Sequence, residues 1–404
     1  MNRSILVVPI LMLALLPGCS IEAPVTLPHA QGSPLTTETA VSTSANSIHS
    51  LPPLDAFMKG FAFADWNPFD RPRPPAMGPL YNPAQSDHAL KNLAATGSNW
   101  ISLVVQVRQE TIASTNITRN QYNTASDEAL RHIIELAHSQ GMRVMLSPYI
   151  GLASDPRHLL IRDGVTFKTE PQWQPINIGM AYTDEAQWQE WFASYKDIIN
   201  YYATFAQEAG VDMLSVGHEL GITSSHENDW RRVIQEVRQR FKGPITYSSL
   251  DSSGTDPAHG EEKRIKWWDA VDYIGVDVYY KLADKNTPAL EELKAAWTKR
   301  GYVELLENLS SRFNKPIIFT EFGYRSIDGA ARCPGCWTID APPDFQEQAD
   351  CYQAAFESLW GKPWLKGIFW WQWFANPLKG QNEKDYTPLG KPAEEILKKF
   401  YLSK

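Results

Sequence analysis

The chain has 404 residues, 43% of them apolar, which is enough for a large buried core. A formal charge of −8 argues against nucleic acid or an anionic membrane surface as partner. After residue 20 no stretch is long and apolar enough to span a bilayer.

Residues 1–18 place Arg3 before an apolar run, Ile5–Leu16, which is the pattern of an export signal. The run ends in Leu16-Pro-Gly-Cys19, which resembles the bacterial lipobox. The resemblance implies that Cys19 takes lipid and becomes the new N-terminus of an exported lipoprotein, anchored to the membrane through that lipid only. Ser20 after it implies the outer membrane, and a plain secretory signal with an incidental cysteine is the alternative. Residues 19–50 are rich in Ser, Thr, Ala and Pro without apolar periodicity, so they form a tether. A single catalytic domain is expected over 51–404, acting as a monomer.

Within that domain short β-rich runs alternate with helical periodicity. The expected strands are Gly60–Ala64, Trp100–Val107, Arg143–Pro148, Met213–Gly217, Ile245–Ser249, Tyr273–Asp277, Pro316–Thr320 and Gly367–Trp371. Between them lie amphipathic stretches such as Asp127–Ser139, Ala186–Gln207, Trp230–Arg240 and Gln346–Trp360, with Ser126 a cap and Gly141 a C-terminal stop. Eight short, two-sidedly apolar strands alternating with helices predict an α/β fold, a (β/α)8 TIM barrel. A doubly wound open sheet is the runner-up, but it favours a glycine-rich phosphate loop after the first strand, and Gly60-Phe-Ala-Phe-Ala-Asp65-Trp66 has none.

A barrel builds its site from the C-terminal ends of its strands. Those ends carry Asp65, Trp66, Gln106, Arg108, Tyr149, His218, Glu219, Asp277, Tyr279, Glu321, Tyr324, Arg325, Trp371 and Trp373. Two glutamates stand out. Met213-Leu-Ser-Val-Gly-His-Glu219-Leu and Ile317-Ile-Phe-Thr-Glu321-Phe-Gly-Tyr324 each end an apolar run in a carboxylate, which is costly to place there without a task. Strands four and seven face each other across an eight-stranded barrel, so the pair suits the two carboxyl groups of a retaining glycosidase. With 15 tryptophans in the chain, indole faces are available to stack on sugar rings, although about half are expected in the core. His218, Tyr279, Asp277, Tyr149, Trp66, Trp371, Trp373 and Arg325 are the candidate substrate contacts, Tyr279 as the phenol that orients Glu321. No His/Asp cluster suggests a metal, and no cofactor is expected.

Three cysteines follow the signal. Cys333-Pro-Gly-Cys336 has the CxxC spacing of redox and zinc motifs, but no second ligand pair accompanies it. One structural disulfide among Cys333, Cys336 and Cys351, pinning the loop after Glu321, is the expectation, with the pairing open.

The stretches Ser215-Val-Gly-His-Glu219-Leu, Asp272-Tyr-Ile-Gly-Val-Asp277-Val-Tyr279-Tyr280 and Thr320-Glu321-Phe-Gly-Tyr-Arg-Ser326 resemble glycoside hydrolase family 113. Lesser matches extend the resemblance over about residues 55–400. It implies a retaining β-mannanase-type enzyme of the barrel glycosidases, with Glu219 as acid/base, Glu321 as nucleophile and a polysaccharide or oligosaccharide as substrate. Two departures stand beside the reacting sugar: His218 replaces the usual Asn, and Pro148-Tyr149 replaces Pro-His. They bear on the sugar more than on catalysis and leave other β-linked glycans (glucan, xylan or an envelope polysaccharide) open; a non-catalytic surface glycan-binding protein on the same barrel is the other alternative, against which the intact glutamate pair argues.

Overall fold

The computed structural model describes residues 50–66, 72–73, 75, 78–153, 174–253, 260–337, 339–376 and 383–403. The signal, Cys19 and the tether as far as residue 49 lie outside them. The described residues belong to one compact unit, Ser47–Lys404.

Eight parallel strands form its centre: β1 Met58–Ala64, β2 Trp100–Gln109, β3 Arg143–Leu152, β4 Met213–His218, β5 Ile245–Leu250, β6 Ile274–Val278, β7 Ile317–Phe322 and β8 Leu365–Phe374. Each pairs with the next and β8 pairs with β1, so the sheet closes into a (β/α)8 barrel. All eight expected strands are present. A two-residue strand, Ile117–Thr118, adds antiparallel to the end of β2. Around the barrel run α1 Pro83–Ala94, α2 Asp127–Ser139, α3 Glu185–Ala209, α4 Glu227–Arg240, α5 Leu290–Lys299, α6 Tyr302–Phe313, α7 Phe345–Leu359 and α8 Pro392–Tyr401, with two helices in the β6–β7 crossover. The expected stops hold: the Ser126 side chain accepts from the Ala129 N–H, and Gly141 turns the chain at φ +75°.

Alternation along the strands divides the core in two. Outward residues such as Phe61, Leu103, Val144 and Ile317 pack beneath the helices in one large cluster. Inward residues Met58, Trp100, Met145, Met213, Ile318 and Phe369 plug the N-terminal end of the lumen. The opposite mouth is left for chemistry. Most of the described tryptophans are core residues. Trp230 stacks on Trp267 at 5.1 Å, and both pack against Tyr247. That aromatic layer braces the end of β4, because Tyr195 donates to the Val216 carbonyl and the Leu220 N–H donates to Tyr247.

The β5–β6 register depends on Gly275. A Cβ there would stand 2.4 Å from the Tyr247 carbonyl oxygen, and backbone cannot retreat as a flexible side chain can. Gly275→Ala should therefore cost about 1–3 kcal/mol by overpacking. A urea unfolding curve with an unchanged midpoint would refute this.

Candidate active site

The two glutamates arrive at the mouth through irregular strand ends. Register shifts interrupt β4–β5 between Ser215 and His218, and β7–β8 between Phe319 and Phe322. Glu219 is the first residue past β4 and has φ +46°, in the left-handed region, which costs a non-glycine residue about 1–2 kcal/mol. Its N–H donates to the Ser248 carbonyl at 2.8 Å, and the aromatic layer behind Leu220 holds the turn. Side-chain donor atoms of His218, Glu219, Asp277 and Glu321 all lie within 4.8 Å of one another.

The surroundings of the two carboxyl groups differ. Tyr279 donates its hydroxyl to Glu321 Oε2 at 2.8 Å, and His218 Nε2 lies 3.2 Å from Glu321 Oε1. Burial raises the pKa of both glutamates above the ordinary carboxyl range. For Glu219 the attraction of His218 opposes that rise, while Glu321, Glu261 and Asp251 add to it. For Glu321 the Tyr279 hydrogen bond favours the ionised form. Two carboxyl groups this close do not readily ionise together, so the donors place the charge on Glu321 and the proton on Glu219. Burial and Glu321 push the Tyr279 phenol well above its usual value, which keeps it a donor.

Of the candidate contacts, the structure brings His218, Tyr279, Tyr149, Trp66 and Trp371 to this mouth. Trp66, Tyr149 and Trp371 are part-exposed and form an aromatic patch over Ala62, Ala64 and Val104, with Trp66 edge-on to Tyr149 at 5.5 Å and 6.0 Å from Trp371. Tyr149 also meets the His218 ring edge-on at 5.3 Å. The other three side chains are held by protein partners away from the open mouth. Trp373 is 1% exposed and donates to the Ala89 carbonyl of α1, outside the barrel. A register shift on β8 sets Phe61 against Trp370 but Phe63 against Trp373, so the extra residue reverses the inward–outward phase after Trp371. Arg325 donates to the carbonyls of Lys384, Ile339 and Cys336, so it clamps loops. Asp277 is 0% exposed and sits beneath the site, accepting from Thr320 at 2.6 Å with Oδ2 3.7 Å from His218 Nε2.

Sequence reasoning missed Asp251, Gln372 and Tyr386. Asp251 is the first residue past β5, the same kind of strand-end position as the two glutamates. It accepts from the Tyr279 N–H, and burial lifts its pKa to about 6. Gln372 accepts from Trp66 Nε1 at 3.4 Å. Tyr386 comes from the loop after β8, lies edge-on to Tyr279 at 6.2 Å, and had no local signal. The disulfide joins Cys333 to Cys336, and Cys351 is a buried free thiol.

The four clustered side chains have the types and spacing of metal ligands, as do Asp328, Asp344 and Glu347 beyond β7. In the first group, however, Glu321 and Asp277 already take hydroxyl hydrogens from Tyr279 and Thr320. A protonated carboxylic acid facing an ionised carboxylate, beside an aromatic patch, is equipped for proton transfer and attack on a sugar.

The model of Glycoside Hydrolase Family 113 matches residues 76–391. The chain belongs to glycoside hydrolase family 113. Among solved structures, a family 113 β-1,4-mannanase is 26% identical over 86% of this chain and 100% of its own, with a TM-score of 0.68. The family 113 β-mannanase of Alicyclobacillus acidocaldarius, in complex with ManMIm, gives the same identity and TM-score over 86% and 97%. A family 5 mannosidase from Rhizomucor miehei shares the fold at 12% identity and a TM-score of 0.59, over 86% and 92%. No curated protein sequence matches significantly. This family 113 chain is thus a glycoside hydrolase on a TIM barrel.

Proposed function

We propose that this glycoside hydrolase cleaves β-mannan or manno-oligosaccharides with retention by double displacement. Ionised Glu321 attacks the anomeric carbon while Glu219 gives its proton to the departing oxygen, leaving a glycosyl-enzyme ester and a free alcohol. Glu219, now ionised, takes a proton from water as that water attacks the same carbon, which releases the sugar and restores both groups. The observation that carries this is the approach of the two carboxyl groups to within 4.8 Å, since inverting enzymes hold theirs about 6.5–9.5 Å apart. The mannanase relatives favour mannan. His218 and Tyr149 depart from the family's usual residues beside the reacting sugar, and this keeps another β-linked glycan as the second reading. A screen on manno-, gluco- and xylo-oligosaccharides, with NMR of the first anomer released, tests both. Cleavage of the manno series with a β product supports the proposal, and an α product or glucan preference overturns it.

The pKa directions predict a bell. Activity falls with decreasing pH as Glu321 takes a proton, and with increasing pH as Glu219 loses one. Because burial raises both groups, the bell sits above the ordinary carboxyl value of about 4.3. Tyr279→Phe removes a donor to ionised Glu321, so the acid limb of kcat/KM should move to higher pH while the alkaline limb stays. An acid limb that does not move would refute that role for Tyr279.

We further propose that Cys19 carries lipid and tethers the barrel to the outer membrane, on the strength of Leu16-Pro-Gly-Cys19 and the Ser20 that follows. Radiolabelled palmitate should enter the wild-type protein in a bacterial host and not Cys19→Ser; equal labelling would refute it.

A further inference from the structure

The loop after β7 begins two residues past Glu321, at Gly323, and leads to the disulfide. From the Cys333–Cys336 turn the chain returns to Tyr279 and to the loops around it. Gly335 faces Tyr279, and a Cβ on it would meet Tyr279 Cβ in ordinary van der Waals contact at 3.4 Å. The Pro334 carbonyl accepts from the Tyr386 hydroxyl at 2.6 Å, and Tyr386 in turn packs edge-on against Tyr279. The Cys336 carbonyl accepts from Arg325, four residues past Glu321, which also grips Ile339 and Lys384. Tyr279 itself donates to Glu321 at 2.8 Å. We infer that the disulfide-closed turn is a positioning element for Tyr279, and through it for Glu321, so that glycosidase activity depends on the Cys333–Cys336 bond.

The physical reason lies in what the turn has besides the bond. Pro334 restricts one torsion, and one backbone hydrogen bond runs from the Cys336 N–H to the Cys333 carbonyl at 3.0 Å. A four-residue turn on an otherwise irregular loop is thin support for a phenol that must hold a carboxylate in line with an anomeric carbon. The cross-link removes the open conformations that such a turn would otherwise sample. Both cysteines are part-exposed, so a small dithiol reaches them. Reduction by dithiothreitol takes two electrons and two protons from the reagent, gives two thiols and leaves the reagent as its cyclic disulfide. Cys351 is buried and outside this exchange.

The inference rests on Glu321 as nucleophile. Its test uses the full chain and an activated aryl glycoside that the wild type cleaves. Reduced wild type and Cys333→Ser/Cys336→Ser should both lose about tenfold in kcat with KM little changed, because misplacement by a fraction of an ångström acts on the reacting geometry. Reoxidation should restore the wild type, and dithiothreitol should not affect the double variant. The deciding measurement is a double-mutant cycle. In a Tyr279→Phe background, removing the cysteines should change kcat less than twofold, because the group they position is gone. A further tenfold loss there would mean a general structural role and overturns the inference, as does full kcat in the reduced wild type. Melting curves of the double variant and of the reduced wild type separate unfolding from mispositioning: a Tm close to that of the oxidised wild type keeps the loss of rate as support, and a loss of rate that comes only with a Tm collapse in both overturns the inference. Activity retained by Glu321→Gln would instead refute the nucleophile, so the two failures are distinguishable.

Discussion

Glu321→Gln should abolish turnover of an activated aryl mannoside, lowering kcat by on the order of 10^4- to 10^6-fold while leaving the protein folded. The substitution keeps the shape and removes the nucleophile, since an amide oxygen does not form the glycosyl ester. Tyr279 can still donate to the amide oxygen, and the His218 ring stays beside it, so the hydrogen bonds that hold the mouth survive. The charge does not. Glu219 loses a repelling neighbour, and its pKa should fall toward the ordinary carboxyl value. Removing a buried ionisable group should leave the melting temperature equal or higher, because that group's charge is costly to desolvate. An activated leaving group is the right probe because it hardly needs the acid, so the loss reports attack alone. A rate within tenfold of wild type would sink the assignment, and with it the two-carboxylate mechanism.

The barrel was legible because its strands are buried on both faces, so they appear as short continuous apolar runs between polar, helix-periodic segments. The glutamates were legible by contrast, as costly residues ending such runs. Trp373 was misread because strict alternation from Trp371 carries it inward, whereas the register shift on β8 reverses the phase and buries it against α1. Arg325 looks like a sugar ligand until its donors are seen to hold three loop carbonyls distant in sequence. Asp277 does lie at a strand end, but it is fully buried, with its carboxylate turned to Thr320 and His218. These errors share one cause: the strand gives a residue its level in the barrel, and long-range partners decide whether its side chain faces solvent, substrate or protein. The cysteine pairing and the reach of Tyr386 to Tyr279 depend on loop paths, which leave no periodic trace in the sequence.

Glu219→Ala should give the opposite pattern from Glu321→Gln, a large loss that a small anion partly restores. Without the acid, substrates with poor leaving groups should lose about 10^2- to 10^4-fold in kcat/KM, whereas an aryl glycoside with a good leaving group should lose far less in that parameter. Its kcat should still collapse, because hydrolysis of the glycosyl-enzyme needs Glu219 as base. The intermediate therefore accumulates, and KM should fall together with kcat. Azide is already an anion and needs no base. The methyl left at position 219 opens space on the water side, so azide should attack the glycosyl-Glu321 ester and raise kcat. The product should be the β-glycosyl azide, the outcome of two successive inversions at one carbon. The φ of +46° at this position adds a cost that a replacement shares, so a melting curve should accompany the kinetics. An α-glycosyl azide would show that the anion displaced the leaving group directly, with no covalent intermediate on Glu321. A rate equal to wild type without azide would remove Glu219 from the reaction altogether. Because each outcome identifies one face of the sugar, this variant reads the stereochemistry that the approach of the carboxyl oxygens to within 4.8 Å implies.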